Sequence, residues 1–237
     1  MERAIIINRI KDFKYWDKKY SRIYLGNEFC SRLLPNKKEL EDIIKIVKKE
    51  KIKITLLTGQ IDSQGLKIIK KIIKYLDKKQ ILEEVVINDY GIFNYLKKTF
   101  PCCQIILGRM LSRFIFLNKD SFLNKMGIKR LEFDSLNEVK VRRQQSYNIS
   151  YYYPYFSFFA SRYCPVADIF NNKLENHGII KCSKECLKIG ELRVNNSIFK
   201  KSAILKGNAL FMENKIDLKI LDRKGIDRLI FQSHVPV

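Results

Sequence analysis

Short apolar runs punctuate the chain, each ending in a glycine or a small polar residue and most followed by a stretch with helical spacing. Ala4 to Ile7 is the first. Arg22-Ile23-Tyr24-Leu25, closed by Gly26, is the second, and Lys53 to Thr58, closed by Gly59, the third. Glu84 to Ile87 runs into Asn88-Asp89-Tyr90-Gly91, Gln104 to Leu107 into Gly108-Arg109, and Lys129 to Phe133 into Asp134. Ile149 to Tyr153 and Leu229 to Phe231, the latter ending at Gln232, complete a set of eight. Short apolar runs bounded by turn formers predict buried strands.

Helical spacing fills several of the gaps. From Glu39 to Lys49, Leu40, Ile43, Ile44 and Val47 share a face. From Ser63 to Lys79 the pattern is clearest: Leu66, Ile69, Ile72, Ile73 and Leu76 line one side, Lys67, Lys70, Lys71, Lys74 and Lys78 fall largely elsewhere, and Asp62 or Ser63 is available as N-cap. Further helices are predicted from Ile92 to Thr99 and from Leu136 to Gln145.

Strands alternating with helices imply right-handed crossovers and a parallel sheet. Eight such units predict an α/β fold of the TIM-like (β/α) barrel type, incomplete or irregular in places. An open doubly wound sheet is the runner-up, but no glycine-rich dinucleotide turn follows the first strand. Between Tyr153 and the last strand the repeat breaks. Residues 154–213 read as an elaboration of one barrel-like domain spanning 1–237, with β-hairpins between Glu191 and Met212 around Asn195-Asn196 and Lys206-Gly207-Asn208.

No apolar run approaches the ~20 residues of a transmembrane helix, and the opening Met1-Glu2-Arg3 and Ala4 to Ile7 lacks a signal-peptide pattern. A cytoplasmic protein without membrane insertion is expected. The formal net charge of +21 suggests nucleic acid or an anionic surface. The lysines are nevertheless spread through nearly every predicted helix, so a solvated basic surface accounts for them equally well.

Six cysteines in a reducing compartment point to metal or redox chemistry rather than disulfides. Cys182 and Cys186 form a close pair, Cys164 sits between Tyr163 and Pro165, and Cys30 lies far upstream. Cys30 follows the second strand and Cys164 the seventh, so a parallel barrel delivers both to its carboxyl-terminal face. Four thiolates suit an iron-sulfur cluster or a structural zinc; the plain alternative is buried free cysteines. Cys102 and Cys103, next to Pro101, are assigned a structural role.

Ile23-Tyr24-Leu25-Gly26 leading to Glu28-Phe29-Cys30, then Asn88-Asp89-Tyr90-Gly91, Leu107-Gly108-Arg109 and Ser161-Arg162-Tyr163-Cys164-Pro165 resemble successive signatures of the collagenase-like peptidase family, especially its UbiU/UbiV-type iron-sulfur branch. The likeness runs from Arg22 to about Cys186. It implies a TIM-like barrel and a 4Fe-4S cluster held by Cys30, Cys164, Cys182 and Cys186. It further implies a role in an oxygen-independent hydroxylation system such as that of ubiquinone biosynthesis, with a second family member as heterodimer partner. The implied hydroxyl donor is a small anionic metabolite, prephenate. RNA base hydroxylation is an alternative from the same family, with RNA as partner. A non-catalytic cluster protein for oxygen sensing or electron transfer, and a peptidase, are the others.

In such a barrel Glu28, Gln60, Asn88, Asp89, Arg109, Asp134 and Gln232 all lie just beyond strand ends. Glu28, Asn88, Asp89, Arg109 and Asp134 are the expected substrate-binding set, with Arg109 the natural partner of a carboxylate because its planar fork binds bidentately. The competing readings are an Asx turn for Asp89 and a salt bridge from Arg109 to Asp134 or Glu28. His177 and His234 are the only histidines, and neither neighbours a motif-like Ser or Asp. With no nucleophile elbow, no His-Glu-x-x-His and no P-loop, the residues give a peptidase no support.

Overall fold

All eight apolar runs are strands, and they close on one another. The computed structural model describes residues 1–114, 120–142, 147–171, 182–195, 202–214, 216–222 and 225–237. The strands are β1 (Glu2–Ile7), β2 (Arg22–Gly26), β3 (Lys53–Leu57), β4 (Glu84–Ile87), β5 (Gln104–Leu107), β6 (Arg130–Phe133), β7 (Asn148–Tyr153), β8 (Tyr155–Ala160), β9 (Leu192–Val194), β10 (Ala203–Lys206), β11 (Ala209–Glu213) and β12 (Arg228–Phe231). The helices are α1 (Lys37–Glu50), α2 (Ser63–Lys78), α3 (Tyr90–Thr99), α4 (Arg109–Phe114), α5 (Asp120–Met126), α6 (Leu136–Arg142), α7 (Pro165–Asn171), α8 (Cys186–Ile189) and α9 (Leu218–Asp222). Residues 143–146, at the end of the helix expected from Leu136 to Gln145, lie outside the described residues.

Going round the barrel the order is β1-β12-β7-β6-β5-β4-β3-β2, every neighbour parallel. The sequence is a TIM-like barrel, as its alternation predicts. Outward-facing residues such as Ile5, Ile23, Leu56, Val85, Leu107 and Leu229 pack against buried helix faces, including Ile43 and Val47 of α1 and Ile69, Ile73 and Leu76 of α2, in one large core. Asn36 caps α1, its Oδ1 accepting from Glu39 N at 3.0 Å; Asp62, rather than Ser63, caps α2, accepting from Gly65 N at 2.6 Å. No helix among the described residues is long and apolar enough to cross a membrane.

The barrel interior is partly polar. Ala4, Leu57, Val86, Ile106 and Ile230 form its apolar middle together with Tyr24 and Tyr152. Both tyrosine hydroxyls donate to the buried carboxyl of Glu132, at 2.9 and 2.5 Å. Nearer the amino-terminal end, Arg228 holds Glu84 with both Nη atoms, at 2.8 and 3.0 Å. Arg22 donates to Thr55 Oγ1, and Glu2 bridges Arg22 and Arg228. One alternating pattern carries these groups: Arg22/Tyr24, Arg130/Glu132, Ser150/Tyr152 and Arg228/Ile230 sit on the inward side of their strands.

Between β7 and β12 the chain builds a second, antiparallel sheet in the order β8-β11-β10-β9. Phe29, Leu33, Val166, Ile204, Phe211 and Val235 form a separate core beneath it, so the sheet packs on the loops that follow β2 and β12. The hairpin expected around Lys206-Gly207-Asn208 is β10–β11.

Candidate functional site

Cys30 owes its place to the turn after β2. Gly26 has φ +122°, and a Cβ there would lie 2.4 Å from the Leu57 carbonyl oxygen, so glycine alone fits. Asn27 then folds the chain, its Oδ1 accepting from Phe29 N at 3.0 Å and Cys30 N at 2.8 Å.

Cys164 arrives by a route that differs from the expected one. It does not leave β7 directly: Pro154, lacking an N–H, ends that ladder. The chain continues as β8, antiparallel to β11, before Ser161-Arg162-Tyr163-Cys164 turns into α7 with Pro165 at its first position. Cys182 lies in the loop before α8, its Sγ accepting from Lys184 N at 3.3 Å, and Cys186 is the first residue of α8.

All four thiols line one cavity of about 300 Å3, together with Arg32, Gln60, Arg162 and Asn208. Residues from separate parts of the chain therefore meet at the carboxyl-terminal face. Among the described residues, no three Cys, His, Asp or Glu side chains are gathered as a single ion's ligand set. Burial pushes the thiols of Cys30 and Cys164 up, and repulsion among the prospective thiolates adds to it. Cys186 is pushed up to about 11 for the same reasons. A metal bound by these thiols would have to displace those protons.

Asn208 fastens two of these segments together. Its Nδ2 donates to Phe29 O at 2.7 Å and to Ser161 O at 2.5 Å, tying the Cys30 loop to the Cys164 loop. The preceding Gly207, at φ +58°, lies so close to Val237 that a Cβ would come within 2.5 Å of its Cγ1. From sequence this pair reads only as a hairpin turn. Asn208→Ala leaves two carbonyls without their donor, at about 1–3 kcal/mol for each left unsatisfied. We expect Cys30 and Cys164 in metal-free protein to be alkylated several times faster in this variant, whereas unchanged rates would remove the clamp.

The expected substrate-binding residues do not line this cavity, and most of them are engaged with one another. Arg109, 0% exposed, donates from Nε to Glu28 Oε2 at 2.8 Å and from Nη1 to Asp134 Oδ2 at 3.0 Å. Its guanidinium lies 5.0 Å from the Phe29 ring centre and 4.2 Å from that of Tyr152. Burial opposes its charge, yet Glu28 and Asp134 hold its pKa above the usual value. Its Nη2 has no partner among the described residues.

Asn88 reaches Glu28 Oε1 and Thr58 O and accepts from Met110 N. Asp89 caps α3, which begins at Tyr90, by accepting from Gly91 N at 2.7 Å, and lies 3.8 Å from Arg162. Gln232 Oε1 accepts from Tyr155 N. Gln60 is the member of the wider strand-end group that reaches the thiol cavity. His177 lies outside the described residues; His234 lines a separate cavity behind Cys186. Cys103 approaches Glu83 O and Gln104 O, and Cys102 is exposed.

Among solved structures, the U32 peptidase Mk0906 is similar at a TM-score of 0.58 and 13% identity, covering 100% of this chain and 94% of that one. At that identity the likeness is one of fold. A GH18 chitinase from Cycas revoluta aligns at a TM-score of 0.47 and 8% identity, over 98% of this chain and 94% of that one. No protein-family model and no curated protein matches the chain.

Proposed function

We propose that this chain is an iron-sulfur protein of the collagenase-like peptidase family, UbiV-like, that holds a 4Fe-4S cluster on Cys30, Cys164, Cys182 and Cys186. In this reading it serves an oxygen-independent hydroxylation system, together with a second family member. The observation that carries the proposal is the shared cavity of about 300 Å3 lined by all four thiols. The barrel fold shared with a U32 peptidase and the short signatures along the strands support the family part.

The donor set suits the group. Four thiolates suit a 4Fe-4S cluster or a tetrahedral zinc, and the resemblance to the iron-sulfur branch favours the cluster. Arg32 and Arg162 at the cavity wall offset the negative charge that four thiolates bring. When bound, the cluster supplies one-electron transfer. The chain's own contribution is to fix the ligands: Asn27 shapes the Cys30 turn, Asn208 joins it to the Cys164 loop, and burial limits solvent access.

Anaerobic purification followed by iron and sulfide analysis tests this directly. The expected protein is brown, with about four irons per chain, and Cys164→Ala loses them. A colourless protein carrying one zinc would sink the proposal.

RNA base hydroxylation remains the second reading because of one feature. Phe158, Phe159 and Tyr163 are 45%, 46% and 47% exposed, and Tyr163 lines the thiol cavity beside Arg162. Unstacked bases rest on such aromatic surfaces. Absence of tRNA binding at low salt would dismiss this version.

A further inference from the structure

Behind Cys186 lies a second cavity, of about 140 Å3, sharing Leu33, Cys186 and Val237 with the thiol cavity as a common wall. Its polar lining comes from loops after three barrel strands and from the capping sheet: Asn8, Arg9, Lys11 and Asp12 after β1, Asn27 after β2, His234 after β12 and Lys206 at the end of β10. This is the carboxyl-terminal face, where barrel enzymes keep their ligands.

The charges there do not balance. Three cations, Arg9, Lys11 and Lys206, face the cavity against one carboxylate, Asp12. Asp12 is already committed to the backbone, its Oδ2 accepting from Asn8 N at 3.0 Å and Arg9 N at 2.9 Å. Lys206 is half-buried and donates one hydrogen bond, to Val235 O at 2.8 Å, which leaves two N–H donors. Glu191 and Asp12 act on Lys206 from a distance, but among the described residues neither makes an ion-pair contact with it. Lys11 is exposed, but Arg9 and Lys206 are partly buried, and partly buried cations of like sign are costly to hold together without a counter-ion. Burial also holds His234 below the usual imidazole range.

We infer that this cavity binds the anionic head, a carboxylate or phosphate, of a small metabolite, with Arg9 and Lys206 as its principal contacts. The inference goes beyond the cluster proposal and does not depend on it.

The test uses the full chain purified without oxygen, with iron content measured on every sample. Inorganic phosphate and, separately, succinate are titrated calorimetrically at constant ionic strength set by chloride. The expected result is saturable one-to-one binding of at least one of them, phosphate marking a phosphorylated ligand and succinate a carboxylate. Lys206→Gln and Arg9→Gln should each weaken it by about tenfold or more, the loss of one charge-assisted hydrogen bond. Lys71→Gln, on the exposed side of α2, should leave it unchanged. Should Lys206→Gln fail to fold, Arg9→Gln decides alone. Non-saturating heat, or wild-type affinity in Arg9→Gln, overturns the site. Iron-free protein that still binds the anion would defeat the cluster proposal and leave this one standing.

Discussion

Arg109→Met should destabilise the protein by about 3–5 kcal/mol, the usual penalty for removing one partner of a buried ion pair. Glu28 and Asp134, 2% and 0% exposed, would be left as two carboxylates with their shared cation gone. At about 2–4 °C per kcal/mol for a domain of this size, the thermal midpoint should fall on the order of 10 °C. Asp134 keeps Arg113 as a partner, so the double variant Arg109→Met, Glu28→Gln removes the stranded charge and should recover much of the loss. If it is no more stable than the single variant, unpaired charge is not the cause. Had Arg109 been a substrate receptor instead, Arg109→Met would keep wild-type stability and lose ligand. Because Glu28 lies two residues before Cys30, the single variant should also loosen the first thiol.

Glu132→Gln should act in the opposite direction. Burial pushes the Glu132 carboxyl up to about 8, well above the unfolded value, so between these limits the folded chain holds a proton that the unfolded chain has released. That contribution is fully present below about pH 4 and is lost as pH rises through about 8. Over the whole interval it is worth on the order of several kcal/mol. Glutamine resembles the neutral acid and can still meet the hydroxyls of Tyr24 and Tyr152. The variant should therefore match wild type near pH 5 and become progressively more stable toward pH 8. Urea midpoints of both proteins across that range decide it, and a difference independent of pH would mean that Glu132 titrates normally.

The strands were legible because each carries outward Ile, Leu or Val residues that must meet a helix, leaving short apolar runs with turn residues at their ends. The polar interior was hidden by its dependence on register. Arg22, Glu84, Arg130 and Arg228 look like polar flanks of apolar runs until pairing such as Glu2↔Arg228 and Thr55↔Glu84 brings their side chains together. β8 was hidden for another reason: one proline separates it from β7, and Tyr155-Phe156-Ser157-Phe158-Phe159 continues the aromatic character of Tyr151-Tyr152-Tyr153. The place of Cys30 after β2 was legible from strand order, whereas Cys164 reaches the same cavity by way of β8, which that order did not contain. The role of Asn208 was not legible, since a Gly-Asn turn looks alike whether it faces water or two cysteine loops. Arg109 was visible as a cation at the barrel mouth, and its two partners were both among the alternatives that strand ends place nearby.

The pairing of β1 with β12 also sets a timetable. One edge of β1 is met by β2 18 residues on (Ala4↔Arg22), but its other partner is made 226 residues later (Glu2↔Arg228), and the Asn208 clamp nearly as late. At ribosomal speeds of about 5–20 residues per second, the nascent chain spends on the order of tens of seconds with that edge open and Cys30 unaccompanied. A chaperone that shields the edge during synthesis would thus be expected to raise the yield of native protein.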